Sequence, residues 1–92
     1  MIRREGARLI VSGNATLATI SGLLESAAPH LKEGVTTVDL GEVKELDSSL
    51  LAAVLDWMRA VRAQGRELRI ENIPASLATI AKLYGVDELL PA

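Results

Sequence analysis

A chain of 92 residues, 49% of them hydrophobic, has the material for one packed core and no room for a second. Its net charge of −2 argues against general nucleic-acid binding, which needs clustered positive charge to displace counterions. The absence of cysteine excludes disulfides, thiol chemistry and cysteine-ligated metals, and no apolar run approaches the ~18 residues of a membrane-spanning helix.

The opening MIRREGARLIVSG is basic and then briefly apolar. A signal peptide needs a longer apolar region and a small-residue cleavage site, so the expectation is a soluble domain of a reducing cytoplasm. Residues 7–13, ARLIVSG, read as a β-branched strand stopped by Gly13, with residues 1–4 paired to it across Glu5-Gly6. Thr16 is expected to cap a helix running to about Ala28, with Leu17, Ile20, Leu23 and Leu24 on its buried face and Pro29 and Gly34 ending it. VTTVDL, residues 35–40, reads as a second strand, largely buried, and Gly41 to Leu46 as a polar loop.

Ser48 to Gln64 is the clearest helix, stopped by Gly65. ELRIEN, residues 67–72, places Leu68 and Ile70 on one side of a third strand. Pro74 opens a further helix with Leu77, Ile80 and Tyr84 spaced for burial, and residues 86–91 fold back as one more turn. Strands alternating with helices give an α/β domain built of parallel crossovers around a central sheet.

Turning 100° per residue sorts the Ser48–Gln64 helix into faces. Leu50, Leu51, Val54, Leu55, Met58 and Val61 face the sheet. Ser49, Ala53, Asp56 and Ala60 form a second stripe, flanked by Ala52, with Trp57 between the stripe and the core face. Small residues permit close approach by a partner, and a border tryptophan suits an interface anchor. Equally, alanine is the best helix former, and Trp57 can tuck against a neighbouring helix of the same chain. Asp47 and Ser48 both suit the N-cap. Ser49 lies inside the first turn, facing outward, where a phosphate would be stabilised by the positive end of the helix dipole.

Catalytic chemistry is not nominated. The single histidine, His30, follows Pro29 and reads as an exposed cap, so a zinc site has no ligand set. The serines lack a nucleophile-elbow glycine, no phosphate-binding glycine motif is present, and no carboxylate pair follows from spacing. Neither a metal nor a cofactor is expected.

The order of these elements, with VDLGEVKELDSSLLAAVLDWMRAVRAQGRELRI, resembles the STAS domain, the module of anti-sigma factor antagonists and of sulfate-transporter tails. The closing IAKLYGVDELLP and the short LIVSGNATL opening are most similar to the stand-alone STAS subunits of Mla-type phospholipid ABC transporters in Gram-negative bacteria. The resemblance implies one STAS-type domain over residues 1–92, a central mixed β-sheet packed with about three to four α-helices. It implies a non-catalytic cytoplasmic adaptor at the inner face of the inner membrane. The adaptor would bind the ATPase subunit of a complex that also holds a permease and a substrate-binding protein, with no nucleic acid and no direct membrane insertion. Ser48 falls where a hydroxyl matters in such subunits. In the antagonist branch an anti-sigma kinase phosphorylates the second serine of D-S-S-G; Ser49 matches it, while Leu50 replaces the glycine and is expected to hinder close approach. The partner-binding set is then Asp47, Ser48, Ser49, Ala52, Ala53, Asp56, Trp57 and Ala60.

Overall fold

The computed structural model describes residues 1–90. Four strands, β1 (Ile2–Glu5), β2 (Arg8–Ala15), β3 (Thr37–Leu46) and β4 (Arg69–Glu71), lie in the order β1-β2-β3-β4. The β1–β2 hairpin is antiparallel and the other pairings are parallel, so the sheet is mixed. Leu9 opposes Val38, and Val38 opposes Ile70. Because side chains alternate across a strand, this register gathers Leu9, Val11, Val38, Leu40 and Ile70 on one face.

Three helices cover that face: α1 (Ile20–Lys32), α2 (Ser48–Arg62) and α3 (Ala75–Leu83), followed by a 3₁₀ turn at Asp87–Leu89. Leu23, Ala27 and Leu31 from α1, Leu50, Val54 and Val61 from α2, and Leu77 and Ala81 from α3 join the strand residues in one cluster. The opposite face stays open and is kept polar by ion pairs around the buried Ile10. Arg8 bridges Asp39 at 3.0 Å and Glu71 at 2.7 Å, and Arg3 reaches Glu42 at 2.9 Å and Glu5 at 3.0 Å. A parallel sheet is usually covered on both sides; here charged pairs take the place of a second helical layer.

Several elements depart from the sequence reading. Thr16 does not cap α1. Its N–H donates to Thr19 Oγ1 at 3.0 Å and its carbonyl accepts from Thr19 N–H at 2.9 Å, so a turn precedes the helix and Thr19 takes the N-cap position. Leu17, expected in the core, is thereby left 78% exposed. Pro29 sits inside α1. The helix continues to Lys32 because Leu31 is buried, and because the Arg66 guanidinium donates to the carbonyls of Leu31 at 2.7 Å and Val35 at 2.9 Å. His30 is therefore a half-buried residue of the last turn and not an exposed cap.

Residues 41–46 are strand and not loop. They pair with Ser12–Ala15 of β2 across two register shifts, at one of which Gly13 takes φ +79°. At Gly41 the backbone comes close to Asn72. An added Cβ would lie 3.1 Å from Asp39 Oδ1 and 3.3 Å from Asn72 Cβ, so a larger residue would press the Asp39 and Asn72 side chains aside. The third strand keeps only Arg69–Glu71, matching the three β3 residues Thr37–Asp39 it pairs with. Pro74 is the N-cap of α3, Ala81 is buried where Tyr84 was expected, and Tyr84 is 63% exposed at the helix end. Leu90 folds back on the core; Pro91 lies outside the described residues.

Arg66 thus holds the end of α1 to the start of β3. Replacing Arg66 by alanine should lower stability by about 2 kcal/mol, since charge-assisted hydrogen bonds to carbonyls carry that order of energy. Urea unfolding should show a lower midpoint with an unchanged slope.

Candidate functional site

Parallel strands release their crossovers at the same end of a sheet. The turn from β2 into α1 and the turn from β3 into α2 are therefore neighbours. Asp47 stands between them with an extended backbone, as an N-cap requires. One carboxylate oxygen accepts from Ser49 N–H at 2.8 Å, and the other accepts from Leu17 N–H at 2.9 Å. The Asp47 N–H donates to the Ala15 carbonyl at 3.4 Å. One side chain thus fixes the start of α2 and the approach to α1 together. The Leu17 N–H, then the Ser49 N–H and the Ser49 hydroxyl, hold the Asp47 carboxyl below the usual aspartate range.

Ser48 is exposed and Ser49 half-buried, its hydroxyl turned to Asp47. Leu50 is fully buried, so its side chain points into the core and does not stand over Ser49. Ala52, Asp56 and Ala60 line the exposed side of α2. Ala53 and Trp57 do not: each is 2% exposed and belongs to the hydrophobic core. Trp57 faces α1, among Leu24, Ala28 and Leu31, and is no rim anchor. Its indole N–H is buried without a hydrogen-bond acceptor among the described residues.

The space outside Ala53 is a groove between α1 and α2. Leu17, Ile20 and Leu24 form one wall, Ser49, Ala52 and Asp56 the other, and the volume is about 420 Å³. It continues as a narrower cleft of about 140 Å³ past Ala28 and Ala60 to Lys32 and Gln64. Leu17 was the residue that sequence reasoning missed here. The signal available was the second threonine at 19, as good a cap as Thr16 and better placed before Ile20. A larger open concavity of about 980 Å³ runs from Ser12–Asn14 across to Gly41–Lys44. Its one carboxylate, Glu42, is already held by Arg3. Among the described residues no group of three or more His, Cys, Asp or Glu could hold a metal ion.

The sequence matches the family described as "Mlab, STAS domain" over residues 1–91. It is 29% identical over 87 residues to the intermembrane phospholipid transport system binding protein MlaB of Escherichia coli K12, covering 94% of this chain and 89% of that one. The fold is similar to a putative anti-sigma factor antagonist from Thermotoga maritima, with TM-score 0.75, 12% identity, and coverage of 98% of this chain and 81% of that one. It is also similar to the Bacillus cell fate determinant SpoIIAA in its phosphorylated form, with TM-score 0.69, 14% identity, and coverage of 99% and 87%. At these identities the two structures speak for the fold.

A carboxyl held low in the folded state contributes stability above the unfolded aspartate range and loses it as pH falls through the folded value. Asp47→Asn keeps a capping oxygen but no charge. Its melting temperature should fall less between neutral and acid pH than that of the wild type. Asp47→Ala should lower the melting temperature at neutral pH as well.

Proposed function

The chain belongs to the MlaB-type STAS domain family, and on that footing we propose that it is a non-catalytic adaptor subunit of an Mla-type ABC transporter that moves phospholipid and maintains outer-membrane lipid asymmetry. It binds the cytoplasmic ATPase subunit and supports that subunit within a complex that includes a permease and a substrate-binding protein. The observation that carries this reading is the start of α2, where Asp47 caps the helix through Ser49, next to an exposed Ser48 and beside an apolar groove. A helix start and a groove of leucine and alanine offer contact area and hydroxyl recognition, not acid–base chemistry. No helix among the described residues is long and apolar enough to cross a membrane, so membrane association in this reading runs through the partner subunits.

A second reading, an anti-sigma factor antagonist switched by an anti-sigma kinase, is favoured by one observation. Ser49 lies half-buried in the first turn of α2 with Leu50 turned inward, at the positive end of the helix that would stabilise a phosphate. Intact mass separates the two readings.

Purification from its own cells in mild detergent should bring an ABC ATPase with its permease, and the adaptor should have an unmodified mass. A kinase-like partner, or a phosphate adduct lost in Ser49→Ala, would instead establish the second reading. With the ATPase in hand, Ala52→Arg and Ser48→Glu, both at exposed positions, should keep native circular dichroism and weaken binding about tenfold or more. Unchanged binding by both variants would move the interface elsewhere.

A further inference from the structure

We infer that the groove between α1 and α2 receives a single α-helix of the partner, one that carries an apolar stripe and a lysine or arginine placed against Asp56. This rests on the adaptor reading above and specifies the partner element that the adaptor engages. The groove is walled by two helices whose backbone groups are satisfied internally, so its lining offers no free N–H or C=O ladder to an incoming chain. An occupant must then satisfy its own backbone while presenting side chains, which a helix does and an extended segment does not.

The lining is apolar and small along most of its length. Leu17 is an exposed leucine whose backbone N–H is held by Asp47, which places its side chain on the groove wall. Ala52 and Ala60 leave room for a helix backbone to come close. Among the described residues Asp56 is the one charged residue that lines the wide part of the groove. Its side chain is 62% exposed and its one ion pair among the described residues is a loose 3.8 Å contact with Arg59, with Lys32 farther along the adjoining cleft. A cation from the occupant completes that pairing, and an acidic occupant is disfavoured there.

The test measures binding of the purified chain to the co-purified ATPase subunit at low and high salt, with hydrogen exchange on the ATPase to locate the contacted segment. Leu17→Glu is expected to reduce binding by about tenfold or more. Asp56→Lys is expected to do the same, and Asp56→Asn to flatten the salt dependence. The protected segment should be a helix with a lysine or arginine among apolar residues. If Leu17→Glu abolishes binding while Asp56→Lys changes neither affinity nor salt dependence, the groove is the interface but the basic helix is wrong. Protection of an extended or acidic segment overturns the inference in the same way. If neither Leu17→Glu nor Asp56→Lys weakens ATPase binding, the inference falls and the adaptor reading survives with a different surface. If the wild-type chain binds no ATPase, the adaptor reading itself fails and the inference with it.

Discussion

The Asp47 carboxylate is where two crossovers of a parallel sheet are tied to each other. Each helix begins with backbone N–H groups that have no partner inside the helix, and each approach turn has its own unsatisfied donors. An ordinary N-cap answers only its own helix. Here the second oxygen is spent on Leu17, outside α2 altogether, so the position of α1's approach depends on the cap of α2. The geometry is available only because β2 and β3 run in the same direction and end side by side. Surface presentation follows from it: the Ser49 and Leu17 N–H groups are both bonded to one carboxylate.

The rest of the domain divides its labour between two faces. The helical face supplies nearly all of the apolar burial, from Leu9 and Val38 beneath to Trp57 and Leu77 above. The open face supplies little burial beyond Ile10 and instead neutralises its charges locally, with Arg3 and Arg8 each engaging two carboxylates. Exposed pairs of this kind add modestly to stability, and their self-compensation leaves that face without a net electrostatic invitation. The groove on the helical side has the reverse character: apolar, with Asp56 only loosely paired to Arg59.

The amino-acid pattern made some of this legible and hid the rest for physical reasons. α2 could be read closely because cap, apolar period and terminal glycine agree over its whole length. The hairpin, the order of elements and the family likeness were legible too. Residues 41–46 looked like a loop because beyond Leu40 the side chains are mostly polar and exposed, with only Val43 and Leu46 packed against the core. Pro29 looked like a helix end because local propensity knows nothing of Arg66, far along the chain, which secures the carbonyl beyond it. At the candidate site, Asp47, Ser48, Ser49, Ala52, Asp56 and Ala60 stand at or near the surface as the helical wheel suggested. The wheel could not separate Ala53 and Trp57 from them, since their burial depends on how close α1 lies. That spacing is set by tertiary packing against Leu24 and Leu31.

The short knot at the end of β4 has a consequence for how the molecule behaves among copies of itself. Asn72 turns the chain through a left-handed conformation directly after Glu71, and its amide donates to Asp39 Oδ1 at 3.0 Å. The same oxygen takes the Gly41 N–H at 2.8 Å. A donor that would otherwise sit open on the β3 margin, where β4 stops, is thereby withdrawn from service. Unpaired strand margins are templates for indiscriminate strand addition and fibrillar growth, and proteins blunt them with brevity, twist and plugged donors. Three-residue β4 and its asparagine stopper do this at the point where the sheet narrows, a safeguard of colloidal behaviour encoded in the strand margin itself.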